Sequence, residues 1–119
     1  GPGVGGPCLP VNSYQLLNSA RKFDSGLLKI VEAGRQINEG MPLHVIDLLS
    51  DALKEANKMI KNSTILLLGV SYKANVKDIQ LSPAEQIVTK LQDLGAKVRI
   101  YDPYFKSTKV YSTKIKFVN

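Results

Sequence analysis

The stretch Thr64-Ile65-Leu66-Leu67-Leu68-Gly69 decides which fold this sequence can adopt. It is a short apolar run, typical of a parallel β-strand that is covered on both faces. Downstream, Ser82-Pro83-Ala84-Glu85 combines a serine N-cap, a proline at the first helical position and a glutamate placed to close a capping box. The helix it opens is expected to stop at Gly95, and a second strand follows at Lys97–Tyr101.

A strand, a capped helix and a second strand within about 40 residues predict a right-handed βαβ unit, the opening of a doubly wound sheet. Ligands of such sheets bind beyond the carboxyl ends of the strands. The segments at that edge are Val70–Lys73 and Asp102–Tyr104. We therefore expect a binding site between these two loops.

The sequence before Asn62 has helical rather than strand periodicity. Apolar residues recur at helical spacing in 11–23, 27–38 and 43–60, with predicted interruptions at 24–26 and at Gly40-Met41-Pro42, where proline lacks an amide hydrogen. The expected fold class is α/β, with a helical connecting or dimerisation domain at 1–61 and a partial Rossmann-like domain at 62–119. The stretch 110–118 alternates loosely and reads either as a further strand or as a frayed end.

Composition indicates a globular protein of one ordinary domain, or parts of two. The chain has 119 residues, of which 44% are hydrophobic and 22% charged. The net charge of +6 comes from scattered lysines, which suits exposed faces or a phosphorylated small molecule. Nucleic acid is not expected as a partner, because arginine clusters, interleaved aromatic residues and zinc-ligand spacing are missing from the sequence.

The sequence also predicts the cellular setting. Apolar runs stay well below the roughly 20 residues that span a bilayer, so no membrane partner is expected. One cysteine cannot form an internal disulfide, and no secretory signal is visible. We expect a cytoplasmic protein. Since the sequence begins without methionine inside a glycine-rich loop, we also expect it to be part of a longer one.

The opening octet, Gly1-Pro2-Gly3-Val4-Gly5-Gly6-Pro7-Cys8, delivers the chain's only cysteine. Four glycines and two prolines predict a tight loop that approaches another group closely. A thiolate in such a loop is a strong nucleophile towards a carbonyl carbon. His44 is the only histidine, and nothing in the sequence places it beside the thiol.

Three segments together carry a resemblance: the cysteine loop, Arg35-Gln36-Ile37-Asn38-Glu39-Gly40-Met41-Pro42, and Gly69-Val70-Ser71-Tyr72-Lys73 followed by Asp78 and Ser82-Pro83. In this order they resemble the UDP-glucose/GDP-mannose dehydrogenase family, in particular its UDP-N-acetylmannosamine branch. The resemblance implies NAD-dependent oxidation of the C6 alcohol of a nucleotide sugar to a carboxylate. It also implies that NAD is bound mainly by an amino-terminal domain absent from this sequence, and that the central helices form a homodimer.

The resemblance also assigns roles to individual residues. Cys8 matches the nucleophile that attacks the C6 aldehyde, and Asn12 stands where the family usually has an aspartate thought to activate water. The implied substrate contacts are Gly3, Gly5, Gly6, Tyr72 and Lys73. Cofactor-binding residues are not assigned, since Gly69 begins no G-x-G-x-x-G fingerprint, and no metal site is expected.

Departures from the family pattern leave a second interpretation open. Asn12 cannot accept a proton as aspartate does, and Gln80 replaces an arginine that the family commonly carries before the capped helix. The alternative is a non-catalytic dimerisation and nucleotide-binding module with an incidental thiol. Arg35 and Asn38, one helical turn apart, face a partner subunit in one reading and are capping or surface residues in the other.

Overall fold

The computed structural model describes residues 1–24 and 26–105, together with the backbone of residues 116–117. Two helices come first, followed by an alternation of strands and a third helix. The elements are α1 (Leu9–Ala20), α2 (Lys29–Glu55), β1 (Thr64–Leu68), α3 (Pro83–Asp93), β2 (Lys97–Tyr101) and β3 (Lys116–Phe117).

The strands form one parallel sheet in the order β1-β2-β3. Leu66 lies opposite Arg99 and Leu68 opposite Tyr101, so β1 and β2 pair along their whole length. The predicted βαβ unit is confirmed. Of the stretch 110–118, residues 116–117 form the strand β3, and the others lie outside the described residues.

Helix α3 begins and ends where its signals predict. The Ser82 hydroxyl accepts a hydrogen bond from the Ala84 amide at 3.3 Å, and Gly95 ends the helix with φ of +81°. The predicted capping box is wrong. The amide of Ser82 donates to the Ile79 carbonyl at 3.1 Å, so Glu85 has no free amide to close on.

The sheet is covered on one face only by the described residues. Val70, Ala84, Val88 and Ile100 form a buried cluster between α3 and the sheet. Leu66 and Leu68 point the other way, and Leu68 is 71% exposed. The prediction of a strand covered on both faces is therefore wrong for the described part of the chain, since α3 supplies the one helix that lies on the sheet.

Helix α2 packs on α3 rather than forming a separate core. Ile46 of α2 is buried against Ile87 and Leu91 of α3 in a second cluster. The helical segment and the βαβ unit therefore meet along α3. The expected domain boundary between residues 61 and 62 stays a prediction.

The predicted interruption at Gly40-Met41-Pro42 is wrong, because α2 runs unbroken from Lys29 to Glu55. Pro42 is buried inside the helix and cannot donate to the carbonyl of Asn38, four residues earlier. That carbonyl lies 3.1 Å from the position that a Cβ on Gly3 would take, so the cysteine loop packs against the helix at this point. Helix α1 starts two residues before the predicted Val11 and ends at Ala20 instead of Phe23.

Candidate functional site

Cys8 is exposed and occupies the N-cap position of α1. Its carbonyl accepts a hydrogen bond from the Asn12 amide at 2.8 Å, which is the first turn of the helix. Asn12 is also exposed. The structure therefore brings these two predicted residues together on successive turns of one helix end.

The glycines before Cys8 allow its loop to pack against the loop that follows β1. Gly5 and Gly6 are buried, and the Gly6 amide donates to the Gln80 carbonyl at 3.0 Å. A Cβ on Gly6 would lie 2.7 Å from Cε2 of Tyr72, and a Cβ on Gly5 would lie 2.3 Å from the Leu81 carbonyl oxygen. The space that these two glycines leave free is taken by the chain itself.

Asn38 of α2 holds the cysteine loop at Val4, upstream of these two glycines. Its Oδ1 accepts from the Val4 amide at 2.7 Å, and its Nδ2 donates to the Val4 carbonyl at 3.1 Å. Gly3, just before, has φ of +120°, a conformation that favours glycine. Asn38 thus contacts the cysteine loop and is not a capping or surface residue, whereas its contact with a partner subunit stays a prediction.

Helix α1 is held on α2 through a cluster of three side chains. The Tyr14 hydroxyl donates to the Glu39 carboxylate, which also accepts from Arg35 at 3.2 Å. The hydrogen bond from Tyr14 lowers the pKa of Glu39, and the hydrogen bond and positive charge of Arg35 lower it further. The bond to Glu39 in turn raises the pKa of Tyr14. Both shifts favour a neutral phenol bonded to a charged carboxylate.

A cleft of about 330 Å³ lies beside this cluster, between the starts of α1 and α3. Its wall includes Val11, Tyr14, Arg35, Leu81, Ser82 and Gln86. The Arg35 side chain is only 11% exposed, and its Nε is buried without a hydrogen-bond partner.

A second cleft of about 240 Å³ lies at the carboxyl edge of the sheet, where the sequence predicts a site. Its wall includes Gly69, Ser71, Lys73, Asp102 and Tyr104. The buried Asp102 carboxylate shapes it by accepting from the Val70 amide at 2.9 Å and from the Tyr104 amide at 2.8 Å. Ser71 Oγ is buried without a partner, whereas Lys73 is exposed.

The predicted site residues fall into two neighbouring groups. Lys73 lines the second cleft, and Cys8 lines neither of the two clefts described above. Tyr72 connects the groups, since its ring lies against Gly6 and its next residue is Lys73. The thiol and the lysine are thus linked through one loop contact and do not share a cavity wall.

Sequence reasoning gave Glu39 no role, and it named Asn38 and Asp102 without predicting their contacts. The Asp102-Pro103 pair after β2 is a turn signal, which agrees with the hydrogen bond that the Asp102 carboxylate accepts from the Tyr104 amide. Contacts from Asn38 and Glu39 to residues more than 20 positions away leave no local pattern.

A metal site and a membrane-spanning helix are both missing from the part of the chain that the structure describes. Residues 1–24 and 26–105 contain no group of three His, Cys, Asp or Glu side chains able to hold a metal ion. Within the same residues no helix has the length and apolar character to cross a membrane.

Comparison with known proteins gives one consistent result. A profile of the UDP-glucose/GDP-mannose dehydrogenase family, UDP binding domain, matches residues 66–119. The UDP-N-acetyl-D-mannosamine dehydrogenase of Pyrococcus horikoshii is 42% identical over 108 residues, which are 91% of this chain and 25% of that protein. The chain belongs to the UDP-glucose/GDP-mannose dehydrogenase family. The resemblance predicted from the three sequence segments is confirmed.

Other members of the family agree. The UDP-glucose 6-dehydrogenase of Bacillus subtilis is 36% identical over 87% of this chain and 21% of its own length. The structure of the P. horikoshii UDP-D-ManNAc dehydrogenase superimposes with a TM-score of 0.81 at 41% identity, covering 92% of this chain and 25% of that one. A UDP-glucose dehydrogenase from Pyrobaculum islandicum gives a TM-score of 0.84 at 26% identity, over 100% of this chain and 27% of that one. This family member spans about a quarter of the length of the relatives it matches.

We predict that Gly6→Ala destabilises the chain by about 1–3 kcal/mol, because alanine at φ of +91° is strained and its Cβ meets the Tyr72 ring. The free energy of unfolding in urea measures this. Gly40→Ala is the matched control: a Cβ there meets nothing within 4 Å, and the change should stabilise α2 by up to about 1 kcal/mol. A Gly6→Ala chain as stable as the wild type contradicts the packing described here.

We predict that the Tyr14–Glu39 bond stabilises the fold only in a middle pH range. The pKa of Glu39 is lowered from 4.5, so its contribution is present above that value and is lost as pH falls through the folded-state pKa. The pKa of Tyr14 is raised from 10.0, so its contribution is lost as pH rises past 10.0 and through the folded-state pKa. Urea midpoints of wild type and Tyr14→Phe should differ at neutral pH and converge at both extremes. Tyr101→Phe, on the open sheet face, should show no such pattern.

Proposed function

We propose that this chain is the part of a UDP-sugar 6-dehydrogenase that supplies the nucleophilic cysteine and part of the nucleotide-sugar site. The observation that carries the proposal is the contact of the Gly6 backbone with Tyr72 and Gln80. It joins the loop that ends in the exposed Cys8 to the loop that follows β1, and ligands of parallel sheets bind at that carboxyl edge. The favoured substrate is UDP-N-acetylmannosamine, on which the P. horikoshii relative is named as acting.

The cleft at the carboxyl edge suits the nucleotide-sugar. Lys73 brings a cationic ammonium that would pair with a phosphate, and Ser71 Oγ has a hydrogen-bonding capacity that the described residues do not use. The net charge of +6 likewise favours the binding of an anionic ligand. Tyr72 would border the sugar from the side of the cysteine loop.

Cys8 would act on the sugar after its C6 alcohol has become an aldehyde. The sulfur forms a bond to C6 and the carbonyl oxygen takes a proton, giving a thiohemiacetal. Loss of a hydride and a proton from that adduct gives a thioester. Water then adds to the thioester carbon and the C–S bond breaks, which returns the thiol and releases the carboxylate.

NAD, the cofactor that the family generally uses, supplies the hydride acceptor in this proposal. The described residues do not fit its pyrophosphate. The loop after β1 runs from Gly69 to Ser82 before α3 starts, whereas a dinucleotide fingerprint turns directly from strand to helix. NAD would therefore be bound by polypeptide outside this chain, and residues 1–119 alone would not turn over substrate.

Asn12 would lie next to the reacting atoms, one turn along α1 from Cys8. Its amide can donate a hydrogen bond to an oxygen on C6 or orient a water, but it cannot take a proton from that water. We infer that hydrolysis of the thioester relies on a different base, and that Asn12 has an orienting role.

Helix α2 would form a homodimer contact along an outer stripe of Ile30, Ile37 and Leu48. These residues are 87%, 68% and 57% exposed, and their spacings of 7 and 11 put them on one face of a helix with 3.6 residues per turn. The buried Ile46 lies on a different face.

The proposal also includes a cytoplasmic location and the UDP-sugar as the small-molecule partner.

A chimera tests the catalytic part of the proposal. This chain replaces the matching quarter of the P. horikoshii enzyme, and NADH formation is followed with UDP-N-acetylmannosamine and with UDP-glucose. Cys8→Ser should lower kcat by more than about a thousandfold, the scale expected for a lost nucleophile. Lys73→Ala should raise KM roughly tenfold, since a charged hydrogen bond to the substrate is lost. The substrate with the higher kcat/KM should be UDP-N-acetylmannosamine.

Lys90→Ala, an exposed lysine on α3, is the matched control and should leave both constants unchanged. Unchanged turnover in Cys8→Ser excludes the thiol mechanism. A folded chimera that binds UDP by calorimetry yet shows no turnover supports the non-catalytic module, for which Asn12 and Gln80 are the sequence arguments.

We predict that the chain sediments as a dimer and that Ile37→Glu converts it to a monomer, because the carboxylate would be buried without a partner in the contact. Leu43→Glu makes the same kind of change elsewhere on α2 and should leave the dimer intact. A wild-type monomer, or an Ile37→Glu dimer, contradicts the proposed contact.

A further inference from the structure

Asn38 forms two hydrogen bonds with the backbone of a single residue of the cysteine loop. The Val4 amide donates to Oδ1 at 2.7 Å and Nδ2 donates to the Val4 carbonyl at 3.1 Å. A primary amide can satisfy both groups of one residue at once, because it carries a donor and an acceptor side by side. A side chain with a donor alone or an acceptor alone cannot form this pair.

The main chain of α2 is shaped for the same contact. Pro42 has no amide hydrogen, so the Asn38 carbonyl lacks its usual helical donor. Gly3 packs against this carbonyl so closely that an added Cβ would lie 3.1 Å from its oxygen. Asn38 thus contacts the cysteine loop both with its side-chain amide and with its backbone carbonyl.

The chain between this contact and the thiol is short and intrinsically flexible. Gly5 and Gly6 follow Val4, and glycine has more backbone conformations to lose than any other residue. Downstream, Cys8 is fixed as the N-cap of α1. With Val4 held by Asn38 and Gly6 held by Gln80, the loop has one anchor upstream of both glycines and a second anchor at Gly6 itself.

We propose that Asn38 is a positioning residue for Cys8: its two bonds to Val4 restrict the cysteine loop to one conformation and so fix where the thiol lies. The inference rests on the proposed function for its catalytic meaning, since the thiol acts as nucleophile only there. Its structural content can be tested without turnover.

The test uses the complete 119-residue chain and its single cysteine. Cys8 is alkylated with a trifluoromethyl tag, so fluorine NMR reports on that side chain alone. Hydrogen exchange of the Val4 amide is measured by NMR on the untagged chain. In wild type we expect one narrow fluorine resonance and a protected Val4 amide.

Asn38→Ala removes both bonds. The fluorine resonance should broaden or split, and the Val4 amide should exchange at least about fivefold faster, as for loss of one ordinary hydrogen bond. Alanine is a better helix former than asparagine, so a residue that served only to stabilise α2 would give no such loosening. Asn38→Asp keeps the acceptor for the Val4 amide but turns a carboxylate oxygen towards the Val4 carbonyl in place of the donor, so it should restore only part of the Val4 protection.

Gln36→Ala, an exposed amide on the same helix, is the control and should leave both signals as in wild type. Slow exchange at the buried Val88 and Ile100 amides confirms that each variant is folded. A narrow resonance and unchanged Val4 exchange in Asn38→Ala overturn the inference. This result is independent of the chimera, where unchanged turnover in Cys8→Ser overturns the proposed function and leaves the role of Asn38 in the loop standing.

Discussion

The backbone of Gly6 lies against the ring of Tyr72, and the rest of the candidate site depends on this contact. It joins a loop that precedes two helices to a loop that follows a strand, although the two are more than 60 residues apart in the sequence. Any side chain at Gly6 would separate them, because its Cβ would overlap the ring. Gly5 and Gly6 are thus explained first by packing between loops, and Cys8 follows them as an exposed residue.

Local signals in the sequence were enough for the βαβ unit. An apolar run, a serine–proline helix start and a glycine stop each act within a few residues, and each element lies where its signal indicates. Two predictions failed, the first because tertiary contacts outweigh local preference and the second because of a neighbouring turn. Pro42 breaks an isolated helix, but in α2 the freed carbonyl faces the cysteine loop and Ile46 one turn later is buried on α3. Glu85 does not close a capping box, because the preceding turn already uses the Ser82 amide.

The candidate site was predictable only in part, for a related reason. Cys8 and the edge of the sheet stand out because unusual residues cluster there in sequence. Asn38 and Glu39 do not, since an asparagine and a glutamate on a helix look like solvated residues until their distant partners are known. The family resemblance predicts roles for Cys8, Asn12 and Lys73, but the contacts that hold the cysteine loop and α1 in place are seen only in the fold.

The position of α3 has a consequence for how the molecule unfolds. One helix contributes to both buried clusters, with Ala84 and Val88 in the first and Ile87 and Leu91 in the second. If α3 unfolds, the apolar side chains of both clusters become exposed. Helix α2 and the sheet then lose their buried contacts together. Denaturation of the described segment is then expected to be a cooperative all-or-none transition, even though its two halves differ in architecture.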